Sequence, residues 1–257
     1  MGRLTFLGTG DPLNHERAQT SLALTLAADD VLLLDTGSGT SLLRQLHAAG
    51  IALERVRHVL ITHRHFDHVG GLAPLLVALS ALPGAAITIH ATPPTLEASR
   101  SLLALTIPGV ESWLGSRLHW QPLALGTATV MADALVTPFA VEHGVDCVGV
   151  RIAQGGRSVA FSADTAPAPD LADRMWDVDL LIHEVYSHHE DAETAHRFGH
   201  STAHDVGTVG RAASARRLIL THFRARAYVD PAALAAEAAH AFGRAVDVAC
   251  DLDVIDF

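Results

Sequence analysis

Residues 56–72 read VRHVLITHRHFDHVGGL, and this stretch decides the fold. VRHVLIT (56–62) is a short, largely apolar and β-branched run of the kind that forms a buried strand. It runs straight into His63, His65, Asp67 and His68, and beyond Gly70 the apolar residues 71–82 read as a helix. A loop between a buried strand and a helix lies at the end of a sheet, where α/β proteins place their chemistry. His63 and His65 stand two apart, so in extended backbone both side chains leave the same face. Asp67 and His68 follow where the chain turns into the helix. Four potential ligands in six residues crowd a single tetrahedral centre, and dividing them between two adjacent metals is the natural solution. A lone His-x-His is weak evidence, whereas the full run between a β-run and Gly-Gly is a strong signal.

Outward from this stretch, apolar β-rich runs alternate with Ala/Leu-rich helical ones. Residues 4–7, 21–26 and 31–35 read as strands, and 39–49 as a helix that Gly50 closes. Residues 86–90 read as a strand, 94–119 as helical or irregular with a break at Pro108, and 128–140 as one or two strands. Residues 147–153 and 157–162 pair as a hairpin across Gln154-Gly155-Gly156. The runs 179–183 and 217–221 have the continuous apolar character of fully buried strands. Asp230-Pro231 opens a helix that Gly243 closes, and 245–249 is the last strand. Strands and helices on both sides of a β-rich middle predict two packed mixed sheets with helices outside, in one domain over 1–257.

Composition narrows the function classes. The chain carries a formal net charge of −10 and no lysine, all 18 basic residues being arginine. There is no global basic footprint of the kind nucleic-acid binders carry, although Arg211, Arg216, Arg217, Arg224 and Arg226 cluster late in the chain. Cys147 and Cys250 form no short-spaced pair, so a cysteine-based zinc or redox motif is excluded, and both read as buried thiols of a cytosolic protein. The N-terminal residues lack the apolar region of a signal peptide, and no run is long enough to span a membrane, which predicts a cytoplasmic protein. The 17 histidines are the compositional oddity. His143, Asp164 and His222 each stand where a strand-like run meets a loop, as His63 does, and are the candidates to complete a two-metal site.

At these residues the sequence resembles the metallo-β-lactamase superfamily, and within it the ribonuclease Z-like branch. The resemblance rests on THRHFDHVGGL (62–72), VEH (141–143), FSADT (161–165) and LILTHF (218–223). LGTGDP (7–12) with Arg17, TSLAL (20–24), LLLDTGSGT (32–40), LLIHEV (180–185) and GHSTAHDVG (199–207) extend it over nearly the whole chain in the same order. It implies an α/β fold, a four-layer αββα sandwich of two mixed sheets flanked by helices. It further implies one metal held by His63, His65 and His143, a second held by Asp67, His68 and His222, and Asp164 bridging the two. Zinc suits His/carboxylate ligation, with Mn or Fe as alternatives. Ala163 stands where the branch usually has Gly, and its methyl is expected to leave the aspartate in place.

Two metals ~3.5–4 Å apart can share a bridging hydroxide and lower the pKa of its parent water to about 7, giving a nucleophile for ester hydrolysis. Asp67 could additionally orient that hydroxide. His200 matches the catalytic His of the branch's HST motif and is the candidate general acid, the alternative being a helix-entry residue beside a Ser201 or Thr202 cap. His183 and Glu184 are expected either to hold a ligand His by hydrogen bond or to form a structural core pair. His188, His189 and His196 match no motif and read as exposed loop residues; Trp113, Trp120 and Trp176 read as core. Branch members often dimerise, and the apolar stretch 72–82 reads as a dimer helix or as core.

The branch favours phosphodiesters, and its tRNA 3′-processing enzymes grip tRNA with an arm that bacterial forms insert between the lone His and the bridging Asp. Here the interval from His143 to Asp164 holds only a tight hairpin, so no arm fits. Acidic net charge points the same way. The expected activity is hydrolysis of a small phosphodiester. The alternatives are tRNA 3′-processing, aryl sulfate, lactone or thioester hydrolysis at the same site, and a metal-bound regulatory module without catalysis.

Overall fold

The 31–34 run VLLL is buried on both of its faces, so the strand it forms is covered twice. Val31 and Leu33 pack under helices, while Leu32 and Leu34 meet a second sheet. That alternation sets the architecture.

The computed structural model describes residues 2–257. Its first half runs β1 (Arg3–Gly8), β2 (Ser21–Thr25), β3 (Val31–Leu34), α1 (Ser41–Ala48), β4 (Val56–Leu60), α2 (Phe66–Val69), α3 (Leu72–Ser80), β5 (Ile87–Ala91), α4 (Pro93–Thr106), α5 (Val110–Leu114) and β6 (Leu118–Pro122). The second half runs β7 (Thr129–Met131), β8 (Ala134–Ala140), β9 (Val148–Gln154), β10 (Arg157–Phe161), α6 (Leu171–Arg174), β11 (Leu180–Glu184), α7 (Ala192–Arg197), α8 (Ala203–Ala212), β12 (Arg217–Thr221), α9 (Pro231–Phe242), β13 (Asp247–Val248) and β14 (Val254–Asp256).

Two seven-stranded mixed sheets result, in the orders β14-β1-β2-β3-β4-β5-β6 and β13-β12-β11-β10-β9-β8-β7. β3 to β6 pair in parallel, as do β10 to β13, while the remaining neighbours are antiparallel. Leu4, Phe6, Leu24 and Leu60 of the first sheet face Val136, Val150, Phe161 and Ile219 of the second across the central core. Leu42, Leu75 and Leu103 cover the first sheet from α1, α3 and α4. Val206, Leu234 and Phe242 cover the second from α8 and α9. The four-layer αββα sandwich is therefore the observed fold.

Both edges differ from the sequence reading. β6 falls in and beyond the segment read as helical or irregular, and β14 follows the strand read as the last. Each is a mostly exposed edge strand, so neither shows the apolar alternation that marks a half-buried one. The 128–140 segment forms two strands, and 245–249 shortens to Asp247–Val248. α3 buries Leu72, Ala73, Leu75, Leu76 and Leu79, so the 72–82 stretch is core and not an open dimer helix. Trp113 and Trp176 are both 54% exposed, and Cys250 is exposed, against the expectation that all three are buried. His188 is partly buried against Glu237. Among the described residues, no helix is long and apolar enough to cross a membrane.

Candidate metal centre

Parallel pairing brings strand C-termini to a common edge. β10, β11 and β12 run side by side in register, Phe161 opposite Ile182 and Ile182 opposite Ile219. Asp164, Glu184 and His222 therefore emerge together. β4 of the facing sheet ends next to them and delivers the 63–68 loop.

The loop is anchored from below by Asp35, which follows β3. Its carboxylate accepts hydrogen bonds from Thr62 N and Oγ1, both at 2.8 Å, and from His68 Nδ1 at 2.8 Å. That last contact fixes the His68 tautomer and turns Nε2 outward, 3.2 Å from Asp67 Oδ2 and 3.4 Å from Asp164 Oδ2. Sequence reasoning gave Asp35 no role, although it sits in the quoted 32–40 run. Its only signal was a polar residue directly after a fully buried strand.

All seven candidate ligands converge. His65 Nδ1 lies 3.0 Å from His63 Nε2 and 3.2 Å from His143 Nε2. Asp164 Oδ2 lies 3.7 Å from His63 Nε2 and 3.4 Å from His222 Nε2, and Asp67 Oδ2 is also 3.4 Å from His222 Nε2. Two groups could each hold an ion: His63, His65, His143 and Asp164, and Asp67, His68 and His222. Asp164 faces both. Among the described residues no arginine pairs with Asp67 or Asp164, and the buried Nε2 of His68 has no hydrogen-bond partner. Ring nitrogens and uncompensated carboxylates pointed at one another are a donor set that two divalent cations satisfy.

The electrostatics divide the histidines of the cluster. Burial pushes His63 well below its ordinary value, favouring the neutral ring that a metal requires. Burial also opposes charge on Asp164, but His222 and His68 outweigh it and hold the carboxyl well below the usual range. His222 is penalised by burial and nonetheless lifted to about 9, chiefly by Asp164.

Three non-glycine residues at this edge have left-handed backbone: Asp35 at φ 61°, Ala163 at 52° and His222 at 60°. Such strain at a candidate site marks positions where the surroundings over-determine the conformation. It also supplies a physical reason for Gly at the position of Ala163. Here the methyl is buried and Asp164 still reaches the centre.

His200 sits at the open side of the second group, one ring nitrogen grouped with Asp164 and His222. Its Nδ1 donates to Glu184 Oε1 at 3.0 Å. Burial lowers its pKa, but Glu184 more than compensates, so the net shift is upward. Glu184 Oε1 also accepts from Thr165 N at 2.9 Å and Ser201 N at 3.3 Å. Glu184 thus backs His200 and not one of the seven ligands. His183 fits the second of its two expected roles, a structural core pair: it is fully buried, and its Nδ1 bonds the Glu184 carbonyl at 2.8 Å. It points away from the centre because adjacent strand residues face opposite sides. Thr202 forms the capping box of α8 with Asp205, leaving His200 just outside the helix.

A family pattern described as Beta-lactamase superfamily domain matches residues 31–223. The chain belongs to the beta-lactamase superfamily. Among curated relatives, a ribonuclease Z of Myxococcus xanthus is 28% identical, over 97% of this chain and 95% of its own length. That alignment runs over 301 positions, more than this chain possesses, so the relative carries inserted residues. Among the solved structures that share the fold are the following two. The metallo-beta-lactamase fold protein YhfI from Bacillus subtilis superposes with a TM-score of 0.85 at 22% identity, covering 99% of this chain and 98% of that one. A diphosphatase from the PhnP family superposes with a TM-score of 0.79 at 18% identity, covering 100% and 98%.

Proposed function

We propose that the protein is a dinuclear metal-dependent phosphodiesterase acting on a small phosphodiester. One observation carries the reading: Asp164 of the first candidate ligand group lies 3.4 Å from both His68 and His222 of the second, and His200, backed by Glu184, stands beside Asp164 and His222. The position for a nucleophile and the source of a leaving-group proton therefore face the same spot.

His63, His65 and His143 would hold one ion, Asp67, His68 and His222 the other, with Asp164 between them. The donor set suits zinc, with Mn or Fe as alternatives. When bound, such a pair activates water near neutral pH and neutralises charge on the attacked phosphoryl group. The chain's own residues do the rest. Asp35 holds His68 in one orientation, and Gly199 O accepts from His143 Nδ1 at 2.8 Å, so that ring is equally fixed. Asp67 combines ligation with orientation of the attacking water. His200 keeps its Nδ1 proton on Glu184 and presents a second proton at Nε2 to the leaving oxygen.

Substrate size follows from what lies between His143 and Asp164. That interval is filled by β9 and β10 and their tight turn, with no room for an arm that grips tRNA. The diphosphatase relationship agrees with a small phosphoryl substrate. The ribonuclease Z relationship favours a second reading, tRNA 3′-processing, and the inserted residues of that relative weigh against it. Aryl sulfate, lactone and thioester hydrolysis use the same chemistry and are separated by assay.

The test is turnover of bis(p-nitrophenyl) phosphate by protein loaded with Zn, Mn or Fe, beside a precursor tRNA and a sulfate and lactone panel. Hydrolysis of the diester without tRNA cleavage is expected. Silence on the diester with every metal would refute the reading.

A further inference from the structure

Each candidate ion group straddles the two halves of the molecule. Asp67 and His68 of the first half meet His222 of the second, and that junction is tied directly. Phe223, next to His222, donates from N to Thr9 O at 2.8 Å, and its carbonyl accepts from Asp11 N at 2.9 Å and Asn14 Nδ2 at 2.8 Å. In the other group His63 and His65 come from the loop after β4, and His143 from the segment 141–147 between β8 and β9. His65 Nδ1 must meet His143 Nε2, 3.2 Å away, although the two residues hang from different sheets.

The His143 segment is held mostly by its own half. The His143 ring donates to Gly199 O, Glu142 N donates to Thr165 Oγ1 at 3.1 Å, and Glu142 O accepts from Ala166 N at 2.7 Å. Gly144 is exposed, with open space where a side chain would begin. A backbone bridge of Cys147 with His63 reaches the first half, with Val148 N donating to Thr62 O at 3.2 Å. So does one charged side chain, Asp146. Its Oδ2 accepts from Thr92 Oγ1 and from Thr95 Oγ1, the latter at 3.3 Å.

Both threonines are buried and stand at the head of α4. That helix has 14 residues, opens with Pro93-Pro94 and carries no acidic residue in its first turn and no side-chain cap of its own. Helix heads attract negative charge, so Asp146 supplies from the second half the anion that the α4 sequence lacks. The head of α4 also lies where the 63–68 loop begins: β5 leads into α4 and pairs in parallel with β4, His90 beside Leu60. A carboxylate that shaped only its own turn would bond to chain neighbours, as Asp230 does with Ala232 N. Asp146 reaches partners 54 and 51 positions away.

We propose that Asp146, held by Thr92 and Thr95 at the head of α4, is a positioning residue that sets the His143 segment against the first sheet and so fixes the ion site formed by His63, His65 and His143. This rests on the two-ion reading of the centre. Asp146 touches neither ion nor substrate and acts through the backbone between it and His143. Its loss should therefore reach one ion of the two, because the His222 junction keeps its own bonds to Thr9, Asp11 and Asn14.

The experiment is stepwise zinc binding by calorimetry. Asp146→Ala, at an exposed residue, should weaken one ion about tenfold and leave the other unchanged. His65→Ala removes the first site, and adding Asp146→Ala to it should not alter the affinity of the ion that remains. A general loss of stability would weaken that ion too. Thr92→Val should reproduce the Asp146→Ala loss without adding to it in the double variant, and Thr92→Ser, which keeps the hydroxyl, should restore binding. Unchanged affinities in Asp146→Ala, an equal loss at both ions, or a loss in the His65→Ala background overturns the proposal. Amide exchange of the metal-free protein separates this from failure of the parent reading. Residues 142–147 should exchange about tenfold faster in Asp146→Ala, with 63–68 unaltered. If wild-type protein binds no zinc, the two-ion reading falls. Faster exchange confined to 142–147 would still support the tie, and unaltered exchange would overturn it. If the loaded protein hydrolyses no diester, the phosphodiesterase reading falls and the metal affinities alone decide this one.

Discussion

The two sheets furnish the candidate metal centre in opposite ways. The loop after β4 concentrates four candidate ligands, His63, His65, Asp67 and His68, in one short segment. The second sheet spreads its contribution: His143 after β8, Asp164 after β10, Glu184 at the end of β11 and His222 after β12. Local concentration needs one backbone turn and one anchor, Asp35. Distributed placement needs the register of three parallel strands. The first half thus defines each group in part, and the second half joins and closes them.

The largest expected effects belong to the residues that join the two groups. Asp164 touches both groups, so Asp164→Ala should abolish paired metal binding and lower kcat/KM by about a thousandfold, read by metal content and diester turnover. His65→Ala removes a ligand of one group alone and should leave one ion bound. If Asp164→Ala keeps two ions, the second half does not join the groups.

Glu184→Gln comes next, with a loss of about a hundredfold in kcat. Its pH profile distinguishes positioning from packing. Glu184 raises the His200 pKa, and a general acid is active only while protonated. Removing the carboxylate lowers that pKa, so the alkaline limb of the rate profile should move to lower pH. An unmoved limb would separate His200 from proton transfer.

Asp35→Asn tests the anchor of the first half. It should weaken metal binding about ten- to a hundredfold by calorimetry, with the loss confined to the group that contains His68. The smallest effect belongs to Ala163→Gly. Glycine relieves the left-handed backbone at φ 52° but loosens the unfolded chain, and the two effects are each about 1 kcal/mol. The melting temperature should change by no more than about 3 °C, with metal content unaltered.

The same contrast governs what was legible in the sequence. The 63–68 run could be read because its ligands are neighbours in the chain as well as in space. The buried strands could be read for the same reason: their apolar residues are contiguous. His143, Asp164 and His222 carry only the weak mark of a polar residue after a strand, and it took the resemblance over the whole chain to assemble them. Asp35 carries that same mark and was passed over, because its partner His68 is distant in sequence. Glu184 was singled out, but its partner is His200 and not a ligand. The edge strands β6 and β14 were missed since exposure removes the pattern that a buried face imposes.

On this reading Asp164 joins two ion sites into one hydrolytic centre. That joining is tested most directly by stripping the protein with a chelator, restoring zinc in steps, and following bound metal and bis(p-nitrophenyl) phosphate turnover together. The account predicts no turnover in the stripped protein and full recovery as the second equivalent binds. Turnover that persists without metal, or a fully loaded two-zinc protein with none, would contradict it.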